Sequence, residues 1–165
     1  PLMEKLVNPF RWQEIKEKAK SDQRYVYMLL HFSEQIENHA LYKELKEYVE
    51  GYTKDGDALT QIILGYMYET GLGVEQDDKE AVEWYRKAAE QHHPIAQNHL
   101  GDMFYAGEGV RFNYQEAIKW YRAAAEQGYA LAQANLGYMY RKGFGVQPDN
   151  AEAIKWYKNA ARQGN

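Results

Sequence analysis

Apolar residues in the second half of the chain recur at helical spacing in paired stretches. In LGYMYETGLGV, beginning at Leu64, Leu64 and Tyr68 stand at i and i+4 with the small Gly65 beside them, which predicts a helix closed by Gly71. In AVEWYRKAAEQ, beginning at Ala81, the residues Ala81, Trp84, Tyr85, Ala88 and Ala89 fall at i, i+3, i+4, i+7 and i+8, the spacing of a broad buried face. The two stretches predict a helical hairpin.

The same pair returns twice. LGDMFYAGEGV starts at Leu100 and LGYMYRKGFGV at Leu136, while AIKWYRAAAEQ starts at Ala117 and AIKWYKNAARQ at Ala153, all in one 36-residue register with no insertion. One hairpin of this length leaves most of one side open to water, so neighbouring copies must stack. The repeats are drawn at 57–92, 93–128 and 129–164. Gly65, Gly101 and Gly137 sit inside helices, where glycine costs roughly 1 kcal/mol relative to alanine, and so mark points where a ring or a backbone comes close. The Gly-x-Gly-Val between the helices invites a phosphate-loop reading, but neither the Lys-Ser/Thr pair nor the preceding strand that such a loop needs is present. A turn explains it better: the first glycine ends the helix left-handed, the second frees the turn, and the valine enters the core. Asp77, Asp78 and Glu80 then lie at the start of the second helix, where negative charge meets the helix dipole favourably.

The pattern A-x-x-x-L-G-x-x-Y-x-x-G-x-G-V followed by A-x-x-W-Y-x-x-A-A-x-x-G resembles the Sel1-like repeat, a relative of the tetratricopeptide repeat, from Asp57 to Gly164. Three departures stand out: Thr60 for an early alanine, Phe104 for the tyrosine, and His92 where glycine closes the other units. The resemblance implies an all-α fold, a right-handed α/α superhelix (solenoid) of Sel1-like helical hairpins whose concave wall is lined by the first helix of each repeat. It also implies a non-enzymatic protein–protein interaction scaffold. Adaptors, toxin-neutralising (immunity-type) inhibitors and bacterial cell-envelope or signalling regulators are the forms such proteins take.

Alignment with tetratricopeptide helices gives the expected wall residues. The first repeat supplies Ile62, Tyr66 and Glu69 with Leu59 farther along, the second Ile95, Asn98, Asp102 and Tyr105, and the third Leu131, Ala134, Tyr138 and Arg141. These differ between copies while the core positions do not. Tyr66, Glu69, Asn98, Asp102, Tyr105, Tyr138 and Arg141 are the expected partner-binding residues. Two other readings stand beside this one: an ordinary solvated helix surface, and a small-ligand receptor or enzyme using the groove as a pocket. The last would gather titratable groups with shifted pKa values, whereas a scaffold would present an open, elongated, aromatic surface.

Before Asp57 the motif fades, and residues 1–56 read as a helical capping region that includes a degenerate repeat. Helices are expected from Asn8-Pro9 to Lys20, from Ser21 to Phe32 and across KELKEYVEGY, which begins at Lys43. At the other end no polar helix follows the third repeat, which leaves three readings: a longer array, self-association through the last repeat, or a tolerated exposed face.

A net charge of −4 argues against phosphate-backbone binding, so no nucleic acid partner is expected. Fifteen tyrosines and four tryptophans exceed what a small bundle needs for its core, and part of them suits recognition. With no cysteine, a disulfide framework or thiolate metal site is excluded. His92, His93 and His99 do not converge like ligands, so neither metal nor cofactor is expected. No apolar run approaches a membrane span. The opening Pro1-Leu2-Met3 fits a start at Met3, pointing to the cytoplasm, or a processed leader, pointing to the periplasm or exterior.

Overall fold

A computed structural model describes residues 56–163 of the chain. Among them run six α-helices and no strand: α1 Ala58–Thr70, α2 Asp78–Glu90, α3 Pro94–Ala106, α4 Tyr114–Glu126, α5 Ala130–Lys142 and α6 Asn150–Ala161. The all-α repeat fold is therefore the one the chain adopts, and the expected helices ahead of Gly56 lie outside the described residues. Two compact units divide the chain, Pro1–Gln76 and Asp77–Asn165. Helix α1 belongs to the first and α2–α6 to the second.

Both helix types end where local chemistry dictates. Asp77, Asn113 and Asp149 cap α2, α4 and α6, each side chain accepting from two backbone N–H groups of the first turn that have no partner within the helix. At the opposite ends of α1, α3 and α5, Gly71, Gly107 and Gly143 turn left-handed and donate their N–H groups to the carbonyls of Met67, Met103 and Met139. In the second and third loops the second glycine does more than free the turn. A Cβ on Gly109 would strike the Asp78 carbonyl, and one on Gly145 would lie 2.8 Å from the Tyr114 carbonyl carbon. Both loops thus rest directly on the start of the preceding repeat's second helix. That contact is made by backbone, so Val110 and Val146 stay at the margin, half-buried, where the sequence pattern placed them in the core. His92 adopts φ 62, the left-handed turn that Gly128 takes at φ 90.

Within the second unit, α3 and α4 meet through a ring laid on a bare helix surface. A Cβ on Gly101 would be 2.6 Å from two ring carbons of Tyr121, and one on Gly137 would be 3.0 Å from the Tyr157 ring of α6. Both glycines are the expected close contacts. Between the first and second of these repeats, buried Tyr85 of α2 stacks on His99 of α3 with centroids 4.7 Å apart and planes 4° from parallel. The tryptophans lie farther out, Trp84 and Trp120 half-buried and Trp156 buried, with Lys87, Lys119 and Lys155 ammonium groups 3.9, 5.1 and 5.6 Å from their ring centroids.

Buried glutamines tie successive hairpins together. Gln97 Nε2 donates to the Ala89 carbonyl of the previous repeat at 3.3 Å, and its Oε1 accepts from Gln127 at 2.8 Å. One repeat later Gln133 donates to Ala125 at 3.0 Å and accepts from Gln163 at 2.9 Å. A buried amide that donates to the preceding repeat and accepts from the end of the second helix of its own contributes about 1 kcal/mol per bond and fixes the stagger of the repeats. On α6, Ile154 is 52% exposed, whereas its counterparts Val82 and Ile118 are buried.

Two outcomes follow from this packing. Gly101→Ala should overpack the Tyr121 ring and destabilise the protein by about 1–3 kcal/mol, read as a lowered urea midpoint at unchanged slope. The second concerns His99, whose pKa is lowered by burial from 6.5 to about 4. Only its neutral form suits the fold, so its contribution is intact above pH 6.5 and is lost as pH falls through 4. Stability measured from pH 7 to 5 should therefore decline in the wild type and decline less in His99→Phe, which keeps a ring against Tyr85.

Candidate functional site

Burial is uneven along the first helix of each repeat. In α1 the run Leu59 to Gly65 is buried without a break, and in α3 so is Pro94 to Asn98. Ile62 and Ile95, expected on the accessible wall, lie in these runs and are fully enclosed. The trailing halves are accessible at Tyr66, Tyr68 and Glu69 of α1, Asp102, Phe104 and Tyr105 of α3, and Tyr138, Tyr140 and Arg141 of α5, while α5 is open along its leading half as well, at Ala130, Ala134 and Asn135. Leu131, near the start of α5, is 48% exposed.

Five of the seven expected partner-binding residues fall within the second unit. Asn98, Asp102 and Tyr105 come from α3, and Tyr138 and Arg141 from α5. Tyr66 and Glu69 stand half-buried on α1 in the first unit. Asp102 is the polar centre. Its Oδ1 accepts from the Tyr121 hydroxyl at 2.7 Å and from Asn135 Nδ2 at 3.3 Å, while Oδ2 accepts from Asn98 Nδ2 at 2.9 Å. Asn98 Oδ1 in turn accepts from Asn135 at 3.1 Å. Asn98 itself is 1% exposed, so its place is behind the surface, where it orients the carboxylate.

Around this centre Asp102, Tyr105, Tyr121, Asn135, Tyr138 and Met139 line a concavity of about 200 Å³. Beside it the aromatic rings continue into the loops. Tyr105 lies 5.6 Å from Tyr114, 6.2 Å from Phe144 and 6.5 Å from Tyr138, and Tyr114 stacks on Phe144 at 4.8 Å with a 15° tilt. Phe112 extends the row, 5.9 Å from Tyr114 and 60% exposed. Two cations stand over Tyr138, the Arg141 guanidinium at 5.6 Å and the Lys142 ammonium at 5.9 Å from its centroid.

Two phenols at the site, Tyr121 and Tyr105, are pushed toward their neutral form. Burial, then the charge and hydrogen bond of Asp102, push the Tyr121 pKa well above its ordinary value of 10.0. Burial and the neighbouring Tyr138 phenol raise Tyr105 as well. Raised phenol pKa values make these groups hydrogen-bond donors at neutral pH and poor bases. Among the described residues no group of three or more His, Cys, Asp or Glu is placed to hold a metal ion. None of the described helices is long and apolar enough to cross a membrane.

Sequence reasoning missed Tyr114, Phe112, Phe144 and Asn135. Three of them carry a signal in the copy-to-copy comparison. Position 144 reads Leu72 and Glu108 in the other repeats, position 112 reads Gln76 and Pro148, and position 114 reads Asp78 and Asn150, so aromatic side chains replace non-aromatic ones in the loops and at the start of the second helix.

The Sel1 repeat family model matches residues 58–93, 94–129 and 130–165, one residue downstream of the boundaries drawn from the sequence. Two sel1-like repeat-containing proteins of Acanthamoeba polyphaga mimivirus are 33% and 34% identical over 95 and 105 residues, which is 54% and 56% of this chain. The chain spans 16% and 20% of their lengths. A Sel1 repeat protein from Oxalobacter formigenes is 36% identical with a TM-score of 0.72, covering 82% of this chain and 54% of that one. A protective antigen present in uropathogenic Escherichia coli strains, displaying an SLR fold, is 35% identical with a TM-score of 0.74, covering 93% and 33%. Helicobacter pylori cysteine rich protein B shares the fold at 20% identity and a TM-score of 0.58, over 75% of this chain and 89% of that one. With three matched copies filling most of its length, the chain belongs to the Sel1 repeat family.

Proposed function

We propose that this chain is a non-enzymatic scaffold that binds a protein or peptide partner on the trailing halves of its first helices, in the manner of an adaptor or a toxin-neutralising inhibitor. Sel1 repeat proteins generally mediate protein–protein interaction, and that is the family-level statement from which the proposal starts. The observation that carries it is the ring row Phe112, Tyr114, Phe144, Tyr105 and Tyr138, which gathers aromatic area beside an open concavity at the positions that vary between repeats. Tyrosine offers large contact area at low side-chain entropy cost, which suits a recognition surface.

Shifted titratable groups do gather at the concavity, the feature expected of a pocket, but the direction of the shifts favours binding over base catalysis. Tyr105 and Tyr121 are pushed away from ionisation, so neither acts as a base near neutral pH, and the Tyr121 hydroxyl is already given to Asp102.

Truncating Tyr66, Tyr105 and Tyr138 together to Ala tests the surface. Affinity chromatography from a lysate of the source organism should retain a partner on the wild type and lose it on the triple variant. The expected weakening is at least about tenfold per central tyrosine, with thermal unfolding little changed. A partner retained equally by both proteins would move the interface off these helices.

A further inference from the structure

We propose that the concavity formed by α3, α4 and α5 receives an arginine side chain of the partner, its guanidinium laid against the tyrosine rings and drawn to Asp102. This rests on the reading of these helices as a binding surface and assigns the chemistry of what they bind.

Shape and composition favour such an occupant. About 200 Å³ is room for a guanidinium and its stem, and Tyr105, Tyr121 and Tyr138 line the space with Met139. Electron-rich ring faces attract cations, and Tyr138 already shows it by holding Arg141 at 5.6 Å. Arginine fits better than lysine because its planar, weakly hydrated head stacks on rings while it hydrogen-bonds at its edge.

Charge and preorganisation point the same way. The Asp102 carboxylate lines the concavity, and three neutral donors, Tyr121, Asn98 and Asn135, hold it in one orientation. A carboxylate whose position is already fixed loses little freedom when a cation arrives. Its charge is felt there, since it helps to keep Tyr121 protonated. Arg141 and Lys142 at Tyr138 are the opposing charges. They repel a second cation by a screened amount and attract a carboxylate, so an arginine with an acidic residue beside it in the partner is the best match.

The test titrates the full chain, isotopically labelled for NMR, with N-acetyl-arginine amide and with its uncharged isostere N-acetyl-citrulline amide. Saturable shifts at Asp102, Asn135 and Tyr138 are expected with arginine, and binding about tenfold weaker with citrulline, the difference between a charged and a neutral hydrogen bond. Asp102→Asn should erase that difference. Because this substitution disturbs three hydrogen bonds, Tyr105→Leu serves as a second variant, lowering arginine affinity about threefold to tenfold with the carboxylate network in place. Arg141→Gln should tighten arginine binding about twofold by removing a like charge. Equal binding of arginine and citrulline, or tighter binding of N-acetyl-glutamate amide, would overturn the proposal. A captured partner that is lost on tyrosine truncation but indifferent to Asp102→Asn would sink the arginine assignment and leave the binding surface standing. One indifferent to both would sink the surface as well.

Discussion

A tyrosine ring lying where a helix has no side chain sets the distance between the two helices of a hairpin, and the rest of the second unit is arranged around that distance. Gly101 gives Tyr121 a seat that alanine would occupy, and Gly137 does the same for Tyr157. The consequence reaches beyond packing. With its ring fixed on α3, Tyr121 delivers its hydroxyl to Asp102, the residue immediately after the glycine, at 2.7 Å. One contact therefore holds the hairpin together and orients a carboxylate at the surface. In the third repeat the position after the glycine is Tyr138, so the same geometry there presents a ring.

Much of this frame could be read from the sequence because it is written three times. Helix limits, the acidic or amide caps at Asp77, Asn113 and Asp149, and the left-handed glycines all follow from residues that recur at one spacing. What recurrence cannot reveal is whether a varying position is accessible. Ile62, Asn98 and Ala134 occupy one equivalent position and differ in chemistry as recognition residues would, yet Ile62 and Asn98 are enclosed. In α3 the leading run Pro94 to Asn98 is buried all round, whereas α5 leaves Leu131 exposed, and a helical wheel drawn for one hairpin does not include the neighbours that make this difference. The loop aromatics escaped for a different reason. Phe112 and Tyr114 are near neighbours in sequence, but Phe144 comes from the next repeat and meets Tyr114 and Tyr105 only because adjacent loops ride on adjacent repeats.

Two polar systems run through the second unit, and their difference separates frame from function. The glutamine system is periodic: Gln97 with Gln127, then Gln133 with Gln163, each reaching a carbonyl of the preceding repeat. Its groups satisfy one another and recur wherever hairpins must be stacked, which is the behaviour of structural polar contacts. The system around Asp102 is singular. His99 and Ile63 stand where the third repeat has Asn135, and Tyr66 and Tyr138 stand where the second has Asp102, so no other copy could build it.

Singularity has an energetic meaning here. A carboxylate is among the costlier groups to place against partly buried surface, and a hairpin of this family packs well with tyrosine at that position, as α5 shows. Stacking alone therefore gives no reason for Asp102, nor for the two asparagines and the hydroxyl spent on holding it. The rings that gather beside it, Tyr105, Tyr114 and Phe144, are likewise departures from the repeated frame and converge on the same flank. When a charged group that the frame does not need and aromatic groups that the frame does not repeat meet at one accessible concavity, their cost is most simply offset by what they bind. Recognition in this chain is thus located in its irregularities, while its regularity supplies the rigid support that keeps them in place.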